Sequence, residues 1–205
     1  MMRRFLLAAL LGAMAQAEVV DRIAVIVGNR VVKDSDIDVD IRITAFLNRQ
    51  RPAFTAAARR ESAQRLIDQI FIRDEMTSGD YESAPVSEAQ NLLADLKKTR
   101  FGTEAAYRAA LESYAISEED LKAHLVWQTT VLHFIELRFR PAVLVTEDDI
   151  AQYFEQHKQP GETLEQAHDR IEDTIAEQRV NRTLFDWLAR RRAEAKIVYL
   201  EAALK

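Results

Sequence analysis

The chain has 205 residues, 48% of them apolar, with 28 Lys and Arg against 33 Asp and Glu for a formal charge of −5, and it has no cysteine. An acidic chain is a poor binder of nucleic-acid phosphates, and without cysteine there is no disulfide framework, thiolate chemistry or cysteine metal site, so packing alone must stabilise the fold. The length suits one compact domain or two small ones, and only five Gly and four Pro favour long helices over a turn-rich β architecture.

Residues 1–17 read as a secretory signal peptide. Arg3 and Arg4 precede an apolar run from Phe5 to Leu11, and the small residues Ala15 and Ala17 place cleavage before Glu18. That run is far shorter than the roughly 20 residues of a membrane-spanning helix, and no other stretch approaches that length. No cysteine stands near the cleavage point to carry a lipid. The expected mature protein begins at Glu18, lies in the bacterial periplasm without stable membrane insertion and, having lost two Arg, carries a formal charge of −7.

Val19 to Val27 is rich in β-branched residues on both faces, with Ile23, Val25 and Val27 alternating against Ala24 and Ile26, and reads as a strand covered on both sides. Gly28-Asn29 supplies the positive φ of a tight hairpin, so Arg30 to Lys33 forms its second strand. Asp34, Ser35 and Asp36 are cap-type residues suited to the positive end of a helix, which is expected from about Ser35 to Asn48 and buries Ile37, Ile41 and Phe46. Pro52 breaks the pattern. A second helix carries Leu66, Ile67, Ile70 and Phe71 at helical spacing as far as Met76, and Ser78-Gly79-Asp80 stops it.

Ser87 and Gln90 have capping-box spacing and open a third helix towards Arg100. Gly102 interrupts it, and Thr103 caps a fourth helix containing Tyr107 and Leu111. Ser117 starts a long segment in which Leu121, Leu125, Val131, Leu132, Ile135 and Leu137 recur, widened by Trp127, Phe134 and Phe139. After an extended Val143 to Val145, Thr146 caps a helix that runs to about His157. Beyond Pro160-Gly161 a long helix with Ile171, Ile175, Leu184 and Leu188 reaches about Arg192, and Lys196 to Leu200 is a last strand. Strands this short do not stand alone, so this one is expected to pair with the N-terminal hairpin. The fold class is mainly α, a multi-helix core with a small β-sheet formed by the two ends of the chain.

In this order the motifs resemble those of the periplasmic SurA-like chaperones and their parvulin-associated relatives. The resemblance rests on the run Val19 to Ile37, with its hairpin leading through a Ser-Asp pair into a helix, and on Arg65-Leu66-Ile67-Asp68-Gln69. It rests further on Val143 to Ile150 followed by Tyr153 and Phe154, and on Arg179 to Leu200. It covers essentially the whole mature chain. It implies a chaperone domain over residues 18–158 and a C-terminal helix and strand over 159–205 that fold back on it. It also implies clients, unfolded outer-membrane β-barrel precursors crossing the periplasm, held without ATP. Family members with prolyl isomerase activity carry a parvulin domain of on the order of 90 residues about where Gln159-Pro160-Gly161 stands here. The chain has no room for it, so the chaperone fold is expected without the isomerase activity, and no catalytic residue is assigned.

The residues outside that resemblance give little chemistry. His124 and His133 are nine apart, and no His pair has the i, i+4 spacing of a helical metal site. Glu118, Glu119, Asp148 and Asp149 stand at helix starts, where capping explains them. Gly28 lacks the companion glycines of a phosphate loop, so no cofactor is expected. Arg190 to Arg192 suits the negative end of a helix, or an anionic membrane surface. Client contact is assigned to Phe101, Tyr107, Tyr114, Trp127 and Phe139, although aromatic residues at helical spacing also build cores. Two other readings stay open: a relative of the isomerases that has lost or recruits the catalytic domain, and a dedicated interaction module that dimerises by exchanging its long C-terminal helix.

Overall fold

The computed structural model describes residues 21–201 and residue 204. The expected leader with Ala15, Ala17 and Glu18, and the start of the first strand at Val19 and Val20, lie outside the described residues. Strands β1 (Ile23–Val27) and β2 (Arg30–Lys33) form the expected antiparallel hairpin, with Gly28 at φ +58° in its turn. The C-terminal strand β3 (Ile197–Tyr199) pairs antiparallel with the other edge of β1, which gives the order β2-β1-β3. Val25 faces Tyr199, Ile26 faces Val198 and Val27 faces Ile197. Backbone hydrogen bonds from Gly28 to Lys196 (3.0 Å) and from Leu200 to Ala24 (2.9 Å) extend that ladder. Ala24 and Val25 point to opposite faces of β1, and both are fully buried, so the strand is covered on both sides.

The helices follow from their caps. In α1 (Asp34–Leu47) the Asp36 carboxylate accepts from the Lys33 N–H at 2.9 Å, and Ile37, Ile41, Ile43 and Phe46 are buried. Thr55 caps α2 (Ala56–Ser78), whose fully buried Ser62 donates its hydroxyl to the Ile37 carbonyl of α1. α3 (Val86–Leu96) starts one residue ahead of the expected cap. Pro85 with its fixed φ sets the entry, so Ser87 lies inside the first turn, and a π-helical turn, Lys97–Phe101, carries the chain on to Gly102. Thr103 caps α4 (Glu104–Tyr114) and Ser117 caps α5 (Glu118–Arg138), each accepting a backbone N–H three residues on. Thr146 and Thr163 each form a reciprocal capping box, at the starts of α6 (Glu147–His157) and α7 (Leu164–Glu194).

Three apolar clusters hold these elements. The largest joins the sheet, α1, α2, the end of α5 and the C-terminal half of α7, with Phe134 at its centre and Trp187, Phe139, Ile67 and Leu204 around it. A second joins the end of α1 with α3, α4 and the start of α5 through Phe46, Leu93, Tyr107, Leu121 and Leu125. The third is formed by α6 and the first half of α7 through Ile150, Phe154, Ala167, Ile171 and Ile175. The apolar face of α6 is therefore turned towards α7, with Val145 of the preceding segment packed against the same cluster.

α5 corrects one expectation. Its buried residues are Leu121, Leu125, Thr129, Thr130 and Phe134, whereas Leu132 and Leu137 are about 60% exposed. The helix serves the second cluster with its first half and the largest cluster with its end, on different faces. Leu132 continues the line of Leu121 and Leu125 by spacing, but it lies past the elements that cover them.

Arginine–carboxylate pairs tie the clusters together. Arg192 of α7 grips Asp68 of α2 through two hydrogen bonds (2.8 and 2.9 Å), and Arg59 of α2 reaches Asp34, Asp38 and Glu201. Arg179 of α7 holds both oxygens of Asp149 at the start of α6 (2.6 and 2.9 Å) and also the Leu144 carbonyl. The Arg190 to Arg192 run thus has a partner inside the protein besides the helix dipole.

Two outcomes follow from this architecture. Deleting residues 195–205 removes β3 and the buried Leu204, whose burial alone contributes roughly 1.5–3 kcal/mol. The melting temperature should fall by about 5 °C or more in thermal unfolding followed by circular dichroism, and an unchanged value would refute the role given to the last strand. The second outcome concerns Asp149. Hydrogen bonds from Arg179, then from the backbone and side chain of Thr146, hold its carboxyl well below the usual carboxylate range. Its stabilising effect is therefore complete above the unfolded value of about 3.9 and is lost as pH falls from there through the folded value. Asp149→Asn should show a shallower loss of melting temperature than wild type between about pH 4.5 and pH 2. It should also show faster amide exchange in α6 at neutral pH.

Candidate functional site

One side of three helices is turned towards an open groove. α1 presents Asp36, Val39, Asp40 and Ile43; α2 presents Leu66, Gln69, Ile70 and Arg73; α5 presents Asp120, Ala123, His124 and Trp127. Each set has the spacing i, i+3, i+4, i+7, which is the condition for four side chains to share one helical face. Residues 29–32, from the turn and from β2, close the fourth side. This main cavity measures about 810 Å³. It shares Asp40, Gln69, His124 and Trp127 with a second cavity of about 420 Å³ that continues along α5 to Val131 and Leu132. The two form one trough lined by interleaved apolar and polar side chains.

The carboxylates of the trough each have a hydrogen-bond or ion-pair partner inside the protein. Asp40, 6% exposed, is an ion-pair partner of Arg65, and Asp36 caps α1. Asp120 accepts the Ser117 hydroxyl at 2.5 Å, and Arg30 on the rim pairs with Asp74 at 3.0 Å. Burial lowers the pKa of His124; the neighbouring Asp40 opposes that effect and Arg65 adds to it, so the imidazole is neutral at neutral pH. Arg73 lies with its guanidinium 4.1 Å from the Trp127 ring centroid. Enclosure and the like charge of Arg30 both lower its pKa, yet an arginine remains cationic at any physiological pH.

The five aromatic candidates fall in three places. Trp127 alone lines the trough, half-buried under Arg73. Phe101 and Tyr114 flank Phe46, stacked at 5.7 Å and edge-on at 5.4 Å, beside a smaller cavity of about 330 Å³ that also includes Arg49 and Arg100. Tyr107 and Phe139 are core residues, 0% and 2% exposed. Tyr107 lies against Phe101 and under the Lys97 ammonium, and Phe139 packs on Phe134 and Trp187. Their helical spacing served packing, and in this structure neither presents a surface for a client. Sequence reasoning had missed Asp40, His124 and Arg73 as trough residues. The signal was available in the stripes at i, i+3, i+4 and i+7, which mix apolar and charged residues and therefore do not register as a hydrophobic face.

His168 is the one histidine in a cluster of ligand-type atoms among the described residues, within 4.8 Å of Asp169 and Glu172. Its two nitrogens already face Asp169 (3.1 Å) and Glu147 (3.2 Å), and those hydrogen bonds raise its pKa. The cluster thus joins the start of α6 to α7 as an exposed ion pair. His133 pairs with Glu88 at 3.0 Å, and His157 stacks on Tyr153 at 4.0 Å.

The position of Tyr107 generates a test of its core role. Its hydroxyl is buried with no partner in hydrogen-bond geometry among the described residues, although the Glu118 carboxylate lies nearby, and burial first, then Glu118 and Glu104, raise its pKa far above the ordinary phenol value. Tyr107→Phe should leave the melting temperature unchanged or raise it, because an unpaired buried hydroxyl contributes no offsetting hydrogen bond. Tyr107→Ala should cost about 3–5 kcal/mol in chemical denaturation, as a large core aromatic does. A scan of the chain against protein-family models finds no match, and a search of the curated proteins finds none that is similar.

Proposed function

We propose that the chain is an ATP-independent periplasmic chaperone of the SurA-like kind, a holdase that captures unfolded exported polypeptides, with outer-membrane β-barrel precursors as its clients. The observation that carries this reading is the open trough between α1, α2 and α5, lined by interleaved apolar and polar side chains with Trp127 half-buried among them. Two features of the trough suit varied extended chains. It is continuous over two cavities, so a client can lie along it, and its contacts are dispersed, so different side chains can be accommodated. Burial of client apolar surface contributes roughly 25 cal/mol per Å² before ordering costs, which favours weak, reversible capture without a nucleotide cycle.

The expected leader supports a periplasmic location, and no helix among the described residues is long and apolar enough to cross a membrane. Residues 158–163 alone connect α6 to α7, at the place where isomerase-bearing relatives of the family carry their inserted domain, and the proposal includes no isomerase activity.

The test is aggregation of a urea-unfolded outer-membrane β-barrel protein diluted into buffer with the mature chain at several-fold molar excess, followed by light scattering. Wild type should delay aggregation. Trp127→Ser should weaken the delay more than Tyr114→Ser does, since only Trp127 lines the trough. A folded wild-type chain that neither binds the client nor delays its aggregation overturns the reading.

A further inference from the structure

The trough contains one arginine that no carboxylate of the described residues pairs. Its carboxylates are all engaged: Asp36 by the Lys33 N–H, Asp40 by Arg65, and Asp120 by Ser117. The other arginine on this side, Arg30, is paired with Asp74. Arg73 has no carboxylate partner among the described residues; its guanidinium lies over the face of Trp127, with the like charge of Arg30 nearby. A guanidinium stacked on an indole keeps its rotamer while its N–H edge stays free, which is the arrangement that favours planar, two-point recognition of a carboxylate. The cation is local, since the lining as a whole also carries Asp36, Asp40 and Asp120, and a bound carboxylate would have to meet Arg73 directly.

Two further observations restrict the occupant. The cavities run into one another through Asp40, Gln69, His124 and Trp127, which leaves room for an extended segment to lie along the trough. β2, whose residues line the trough, is an edge strand of the sheet, with β1 on one side only, and an extended segment can use the free ladder groups of such an edge. The pKa of Arg73 is lowered by enclosure and by Arg30, a cost that an incoming anion would relieve.

Resting on the holdase reading, we propose that the trough selects extended polypeptide segments in which an acidic side chain, Asp or Glu, lies between apolar residues, and that Arg73, held by Trp127, takes the carboxylate while the apolar side chains of the lining take its neighbours.

The experiment uses the mature chain and two fluorescein-labelled peptides of eight residues, alternating apolar and polar. They are identical except for one central position, Glu in one and Gln in the other, and binding is read by anisotropy. Wild type should bind the Glu peptide about five- to tenfold tighter than the Gln peptide, as hydrogen bonds to charged groups exceed neutral ones, and the ratio should shrink in high salt. Arg73→Met should bring the ratio close to one, and Arg73→Lys should restore part of it. A melting temperature of each variant near that of wild type confirms a fair comparison, and Arg73→Lys serves if Arg73→Met does not fold. Equal binding of both peptides by wild type, or a Glu preference that persists in Arg73→Met, overturns the proposal. So does absence of peptide binding together with a dimer in sedimentation, which would make a second copy of the chain the occupant. Loss of the Glu preference with intact protection of an unfolded β-barrel protein refutes Arg73 selection alone, whereas loss of protection by wild type refutes the holdase reading beneath it.

Discussion

A strand buried on both faces can exist only if both of its edges are paired. β1 satisfies this with Ala24 and Val25 fully excluded from water, β2 along one side and β3 along the other. Each buried N–H or C=O left without a partner would cost about 1–3 kcal/mol, so five residues without β3 would lose much of what their burial gains. The rest of the structure is arranged around meeting that condition. α1 leaves directly from β2 and is fixed by Asp36 and by the Asp21–Ser35 hydrogen bonds, α2 packs across the sheet through Ile67 and Phe71, and α7 returns the chain so that residues 197–199 reach β1. The charges follow the same logic, because Arg192 on Asp68 and Arg59 on Glu201 secure the returning segment to α2.

The trough is a by-product of this arrangement put to use. Helices that pack through one face are free on the flank beside it, and α1, α2 and α5 turn adjacent flanks towards one another. Apolar side chains on those flanks would invite irreversible association. Here, on α1 and α5, they alternate with carboxylates already bound to internal donors, so the lining is polar in part without demanding a partner. Arg73 is the exception, since no carboxylate of the described residues pairs it, while Trp127 divides its surface between the largest apolar cluster and the trough.

The parts of the fold that depend on local rules were legible in the chain. Thr55 was overlooked, but Thr103, Ser117 and Thr146 announced their helices, and Gly28 announced the hairpin. The pairing of the two ends could be inferred because neither β-rich run had another partner. What the sequence could not convey is which flank of a helix meets which neighbour. Leu121 and Leu132 have the same residue type and the same angular position on α5, yet one is buried and the other exposed, because only the first half of that face is covered. Phe139 and Tyr107 read as surface candidates for the same reason, and Arg73 was passed over because a lone arginine in a helix carries no signal until its neighbours prove to be paired elsewhere.

The register of β3 on β1 also sets an order of events. Val25 and Tyr199 stand opposite each other across nearly the whole chain, whereas every helix and the first hairpin close through contacts a few residues apart. Closing so long a loop is entropically slow, and it is rewarded only when helices between the ends have already shortened the distance. The helical layers should therefore assemble first and the sheet last. A chain emerging from its N-terminus keeps one side of β1 open until residues 197–199 arrive, and for that interval the protein carries an unsatisfied strand edge of the kind that extended polypeptides readily join.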